Sequence, residues 1–334
     1  MTKHFKGTKP AARIAGTGHS VPDKILSNAD LEKIVDTSDE WITTRTGIKE
    51  RRIVARGDKT SDYCIRAARQ ALEDAKVDPA DLDLIILGTI SGDLRFPATS
   101  LIIQNEIGAK KATAWDVSAT CSGFLFSLYQ AELAIASGRA KKALVLGSEL
   151  LTPICDWTDR ATCVLFGDGA GAVVLTEATD ERGVLAVTNG TNGDQCDLLF
   201  CIGAGTAGSL NSGALSNGEK YLRMAGNEVF KHAVRILYRT ALETIKLAGL
   251  EVSDIDWLVP HQANIRIIQA VAERLNIPME KVFLNIHKYG NTSSASVPIA
   301  LNEARRDGII KDGQIVLSVV FGGGFTWGGA VIRF

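Results

Sequence analysis

Three residue types set in particular surroundings carry the chemistry of this chain. Cys121 lies in Asp116-Val-Ser-Ala-Thr-Cys121-Ser-Gly-Phe124, with small and polar residues before it and Phe124, Leu128, Ala131 and Ile135 after it at helical spacing. That pattern places the thiol at a helix N-terminus, where unpaired backbone N–H groups and the helix dipole favour thiolate. The plain alternative for a single free cysteine is a small, inert core side chain. His261 opens His261-Gln-Ala-Asn264, between the apolar Trp257-Leu-Val-Pro260 and an amphipathic run of Ile265, Ile268, Ala272 and Leu275. A strand-to-helix turn of this kind presents its side chains to a cleft. Asn291 stands in Gly290-Asn-Thr-Ser-Ser-Ala-Ser-Val-Pro298, which is also good helix-capping chemistry.

A cysteine, a histidine and an asparagine serve two chemistries. Papain-like hydrolases place the histidine roughly 130–150 residues after the cysteine, and here His261 follows Cys121 by 140 residues. No C-G-S-C-W type sequence surrounds Cys121, however, and the chain lacks the disulfide-bearing character of those secreted enzymes. The other chemistry is decarboxylative condensation of thioesters. There an amide stabilises an enolate oxygen without having to take up a proton, a task that suits asparagine.

The elements that must position these groups alternate between helices and short, nearly all-apolar strands, an α/β pattern with strands covered on both faces. A helix around 61–76 leads to the strand Leu84-Ile-Ile-Leu87, and the Cys121 helix leads to Ala143-Leu-Val-Leu-Gly147. Phe166-Gly-Asp-Gly-Ala-Gly171 then opens the strand Ala172–Thr176. The second half repeats this order. A helix around 227–247 precedes Asp254-Ile-Asp256-Trp-Leu-Val259, which echoes Asp81-Leu-Asp83-Leu-Ile-Ile86. The segment after Asn291 takes the place of the Cys121 helix, and Gln314–Val320 with the glycine-rich Phe321–Gly329 leads to a last strand. An internal duplication follows, with halves of about 1–180 and 181–334, which would set the Cys121 and Asn291 helices side by side at the centre.

Bulk composition sets limits on function. With 334 residues, 46% hydrophobic and 22% charged, the chain has the make-up of an ordinary soluble globular protein. A formal net charge of −1 argues against generic nucleic-acid binding. Its six cysteines form no C-x-x-C pair and no zinc pattern, so no metal is expected, and free thiols in a reducing cytosol are the default. No apolar run approaches the roughly 18 residues of a membrane span. Residues 1–10 are basic, lack the apolar core of a signal peptide, and read as a mobile tail. His4, His19, His232 and His287 fall in the tail, a turn, a helix and a loop, and are poorer candidates than His261. Gly203-Ala-Gly205-Thr-Ala-Gly208 fits G-x-G-x-x-G in form, but Ser209-Leu-Asn-Ser-Gly213 follows in place of a helix, so a loop is expected there.

Taken together, Asp39-Glu-Trp-Ile-Thr-Thr-Arg-Thr-Gly-Ile48, Cys121–Phe124, Phe166–Ala172, His261–Asn264, Gly290–Pro298 and Phe321-Gly-Gly-Gly-Phe-Thr-Trp-Gly328 resemble the β-ketoacyl-acyl carrier protein synthase III family of thiolase-like condensing enzymes. The match runs in family order from about Ala12 to Phe334. It implies the αβαβα layered thiolase fold, a homodimer, and the initiating step of fatty acid synthesis from an acyl-CoA and malonyl-acyl carrier protein without a cofactor. By the same resemblance Cys121, His261 and Asn291 are catalytic, and the backbone N–H groups of Cys121 and Gly323 form an oxyanion hole. Trp41, Arg45 and Arg160 would hold the CoA nucleotide, with Thr46, Asn227, Phe230 and Asn264 along the pantetheine channel. Family members more often carry glycine where Ala161 stands. Phe96 (from a partner subunit), Leu151, Phe166 and Phe321 would surround the acyl group, and Lys231 and Arg266 would meet the acidic carrier protein. Glu273 and Arg274 stand where relatives often have further lysines. A degradative thiolase would want a second cysteine in Phe321–Gly329, which has none, and chain-elongating synthases use two histidines.

Overall fold

The computed structural model describes residues 9–203, 205–207 and 220–334. Most of the basic tail and the continuation of the 203–208 glycine motif lie outside the described residues. Five strands, β1 (Ala12–Ser20), β2 (Leu84–Gly88), β3 (Thr113–Val117), β4 (Lys142–Glu149) and β5 (Gly169–Glu177), form one sheet in the order β1-β5-β4-β2-β3. β2 runs parallel to β3 and β4, while β5 is antiparallel to β4 and β1. A second sheet comprises β6 (Gly183–Thr191), β7 (Trp257–Leu258), β8 (Ile315–Gly322) and β9 (Thr326–Arg333) in the order β7-β8-β9-β6. β7 pairs parallel with β8, and β9 pairs antiparallel with β8 and β6. Beyond β7, where the first sheet has β3, there is only a parallel bridge from Leu258 to Val282.

Six helices position the site: α1 (Asp39–Thr46), α2 (Thr60–Ala75), α3 (Gly123–Ala136), α4 (Gly226–Leu247), α5 (Ile265–Arg274) and α6 (Ser296–Arg306). α3 and α6 lie between the sheets; α2 covers the outside of the first sheet, and α4 and α5 cover the second. The result is the five-layer αβαβα stack.

Strand period explains the layering. Val145 of β4 and Val316 and Val320 of β8 point to the middle layer, against Phe124, Leu128, Val297 and Leu301. Their neighbours point the other way: Leu144 and Leu146 meet Ala67 and Leu72, and Leu317 and Val319 meet Leu237, Ile245 and Ile268. With both faces covered, the strands read as continuous apolar runs. His19, expected in a turn, lies within β1, because strand pairing with β5 extends to Ser20; its ring faces the Asn302 amide at 2.7 Å.

The two central helices each begin with a single 3-10 turn, Thr120–Ser122 and Ser293–Ala295, and these turns meet at the middle of the molecule. Gly147 is required for that approach, since a Cβ there would fall inside van der Waals contact with the Ser294 carbonyl. Gly147→Ala is therefore expected to cost about 3 kcal/mol of stability, read as a lowered midpoint in a denaturant titration.

Candidate active site

Cys121 sits in the 3-10 turn that feeds α3, and 8% of its surface is exposed. The turn is tied to the opposite half: the Thr120 hydroxyl donates to the Gly323 carbonyl at 3.0 Å, and the Thr326 hydroxyl donates to the Ala119 carbonyl at 2.9 Å. A Cβ on Gly322 would collide with Thr120 and crowd the Cys121 backbone nitrogen. The glycine run thus brings its backbone against the cysteine turn. Thiolate, however, is not the resting form. Burial pushes the Cys121 thiol up to about 12, hydrogen bonding from the Ser293 side chain opposes that rise, and the charge of Glu149 adds to it. Desolvation outweighs the helix end.

His261 follows β7 and is fixed by its own backbone N–H donating to the Val319 carbonyl at 2.9 Å. Gln262 locks the turn. Its amide donates to the Pro260 and Phe283 carbonyls and accepts from the Asn285 and Ile286 N–H groups, all within 3.2 Å. The imidazole Nδ1 lies 2.6 Å from the Ser296 hydroxyl, while the buried Nε2 has no hydrogen-bond partner. Burial lowers the His261 pKa to about 4, so the ring is neutral at physiological pH.

Asn291 is bridged in register to Phe166, donating its N–H to the Leu165 carbonyl at 2.8 Å and accepting from Gly167 N–H at 3.1 Å. Its side-chain Oδ1 accepts from Ser293 N–H at 2.8 Å. The oxygen is thus used locally, and the NH₂ group is left to donate elsewhere.

Cys121, His261 and Asn291 open onto one cavity of about 560 Å³. Trp41, Arg45, Thr46, Phe166, Asn227, Phe230, Asn264 and Phe321 line it, with Lys231 and Arg266. α1 enters through a Ser38 cap on Trp41 N–H and stops at Gly47, whose φ of 79° is the left-handed conformation glycine supplies. Arg45 and Arg160 lie over the half-buried Trp41 indole at 5.0 and 4.9 Å from its centroid, so the three groups form one cluster at the surface. Asn264 caps α5 through Arg266 N–H at 2.9 Å while lining the cavity. Lys231 is paired with Glu228 at 2.7 Å, and the Arg266 guanidinium covers Phe230 at 5.6 Å.

Four expected residues do not line the cavity. Arg160 reaches it only through Trp41. Leu151 is buried behind Phe166 with Cys155 and Leu222. Gly323 stands beside it against Leu199. Phe96 is 85% exposed and away from the cavity of its own chain. Two partners escaped the reading of the sequence. Ser296 was seen as part of a motif without a role. Glu149 went unremarked, although a charge closing the all-apolar strand Ala143–Leu146 was a visible signal. Among the described residues no group of three His, Cys, Asp or Glu could hold a metal ion, and no helix is long and apolar enough to cross a membrane.

Known proteins share this fold and much of this sequence. Family models described as 3-oxoacyl-[acyl-carrier-protein] synthase III match residues 115–193 and, for the C-terminal region, 245–334. A β-ketoacyl-[acyl-carrier-protein] synthase III from Xanthomonas campestris is 50% identical over 324 residues, covering 97% of this chain and 98% of that protein. One from Roseiflexus is 49% identical over 323 residues, again covering 97% and 98%. The crystal structure of the Aquifex aeolicus 3-oxoacyl-[acyl-carrier-protein] synthase III superposes with a TM-score of 0.90 at 48% identity, over 97% of this chain and all of that one. By fold and by identity along nearly its whole length, the chain belongs to the β-ketoacyl-[acyl-carrier-protein] synthase III family, the condensing acyltransferases that initiate fatty acid synthesis.

Proposed function

We propose that Cys121 takes the acyl group of a short acyl-CoA, and that His261 and Asn291 then stabilise the enolate formed when malonyl-acyl carrier protein loses CO₂. The observation that carries this reading is the buried His261 Nε2, without a partner, facing the same cavity as Cys121 and the free amide of Asn291. A buried polar atom left unpaired costs free energy, and an oxyanion is the partner it lacks. With Ser296 donating to Nδ1, the neutral ring carries its proton on Nε2 and can donate it as a hydrogen bond. The acylation oxyanion would lie between the N–H groups of Cys121 and Gly323, each such donor being worth about 3 kcal/mol. The enolate carbon would attack acyl-Cys121 and give a 3-oxoacyl-carrier protein, with no cofactor.

Trp41, Arg45 and Arg160 would receive the CoA nucleotide on the surface indole–guanidinium cluster, with Thr46, Asn227, Phe230 and Asn264 along the pantetheine. Leu151, Phe166 and Phe321 would bound the primer. The exposed Phe96 of a second copy would complete that pocket, making the working unit a homodimer. Lys231 and Arg266 at the cavity mouth would meet the carrier protein, the former weakened by its ion pair with Glu228. The halves 1–180 and 181–334 are read as duplicated units, supported by the shared strand order, and the enzyme as cytoplasmic.

Incubation with a panel of acyl-CoAs and malonyl-carrier protein tests this reading. The expected product is a carrier-bound 3-oxoacyl chain two carbons longer than the primer. Free acid alone would mark a hydrolase and reject it. Ser296→Ala should slow malonyl decarboxylation about tenfold by freeing the imidazole, while acylation of Cys121 proceeds unchanged. Rapid-quench measurement of both steps checks it.

A further inference from the structure

Glu149 ends β4 with a carboxyl group that is completely buried and takes part in no ion pair among the described residues. Its Oε2 accepts from the Ser91 hydroxyl at 2.6 Å, from Ile90 N–H at 3.2 Å and from Thr89 Oγ1 at 3.4 Å. The other oxygen, Oε1, faces Ile90 N–H at 3.3 Å and the Ser293 hydroxyl at 3.4 Å. An acid buried without an ion pair is costly to keep charged, and the hydrogen bonds from Thr89, Ile90 and Ser91 offset only part of that cost.

Ser293 connects it to the nucleophile. Its backbone adopts φ of 50°, a left-handed conformation that strains a residue with a side chain. That conformation, held by N–H donation to Asn291 Oδ1, brings the hydroxyl to 3.4 Å from Glu149 Oε1 where the two 3-10 turns meet, and its hydrogen bonding favours the Cys121 thiolate. Neither Ser293 nor Glu149 lines the cavity.

The condensing reaction leaves a role open for such a chain. The Cys121 thiol is protonated at rest and must lose its proton to attack. Asn291 cannot accept one, and His261 is a weak base because burial holds its pKa near 4. Glu149, by contrast, is pushed up to about 8 by burial, so it is mostly protonated at pH 7 and its ionised form, the one able to accept a proton, grows as the pH rises through that value. The titratable groups whose interaction with it registers are Cys121 and Cys64, both thiols that burial keeps protonated.

We propose that Glu149, acting through the Ser293 hydroxyl, holds the Cys121 proton between the two half-reactions. Acylation starts from the ionised form of Glu149, where Ser293 passes its proton to Glu149 Oε1 as it receives the thiol proton. The sulfur bonds to the thioester carbon, the bond to CoA breaks, and CoA leaves as a thiolate that takes a proton from water. In condensation the enolate carbon bonds to the acyl carbon, and Cys121 departs as thiolate. It recovers its proton from Glu149 by the same path. The net proton consumed is the one gained by CoA, and the enzyme returns to its starting state.

This inference rests on Cys121 being the acyl acceptor, and the experiment separates the two. Acylation of wild type, Glu149→Gln and Ser293→Ala by acyl-CoA is followed by rapid quench and mass spectrometry. Malonyl-carrier protein decarboxylation is then timed on each enzyme already acylated, and iodoacetamide labelling of Cys121 is timed from pH 6 to 10. Both variants should acylate about 10²-fold more slowly or worse, decarboxylate within about threefold of wild type once acylated, and show a shifted pH profile of labelling. Wild-type acylation rates in either variant would overturn the proposal. So would equal losses in both steps, the signature of a scaffold role. Failure of wild type itself to acylate Cys121 would instead strike the assignment of the nucleophile. Ser293→Ala leaves the buried carboxyl in place, so the test stands even where Glu149→Gln fails to fold.

Discussion

Cys121→Ala should abolish the acyl-enzyme: no mass adduct is expected with any acyl-CoA, and condensation should fall by about 10⁴-fold or more. The size of the effect follows from the route, because without sulfur the first half-reaction has no acceptor. The thiol is buried, and the substitution removes one small atom from a cavity wall beside α3, so the fold is expected to persist. Rapid-quench mass spectrometry with a folded variant, verified by its thermal midpoint, is the measurement. A rate of 3-oxoacyl formation within tenfold of wild type would mean that another nucleophile does the work.

The second large effect divides the two half-reactions. His261→Ala and Asn291→Ala should each leave acylation of Cys121 nearly intact while slowing malonyl decarboxylation about 10²–10³-fold, the loss typical of one oxyanion donor. Both donors are neutral hydrogen-bonding groups, and neither gives up charge. The pH dependence follows. Since burial lowers His261 to about 4, the ring stays neutral as the pH falls, and becomes charged only as it approaches that value. Decarboxylation by the acylated wild type should therefore be flat from pH 8 to pH 5. A decline centred near pH 6.5 would show an exposed, ordinary imidazole. Asn291→Ala has a further consequence, because Oδ1 also holds Ser293 N–H; some loss of acylation rate in this variant but not in His261→Ala would mark the Ser293 turn loosening.

Much of this arrangement was legible in the chain. Apolar strands flanked by amphipathic helices gave the layers, since periodicity reports directly which faces are buried. Cys121, His261 and Asn291 were visible because small or polar residues interrupt hydrophobic patterns at element ends. What stayed hidden depends on neighbours distant in sequence. The protonated state of Cys121 is decided by desolvation and by Glu149 and Ser293, which no local spacing shows. The helix dipole, a local effect, pointed the other way. Lys231, a candidate contact for the carrier protein, is also paired with Glu228 three residues before it. Phe96 marks another such limit: it is 85% exposed in the single chain, so the role proposed for it depends on a second copy that no local pattern shows.

The most direct test is a two-step mass measurement on the wild-type protein. Acyl-CoA is added first, excess is removed, and the peptide bearing the adduct is mapped; malonyl-carrier protein is then added. The expected result is a single acyl group on Cys121 that disappears as an equal amount of 3-oxoacyl-carrier protein forms. An adduct on the exposed Cys196 or Cys201, or one on Cys121 that malonyl-carrier protein does not discharge, would contradict the central claim.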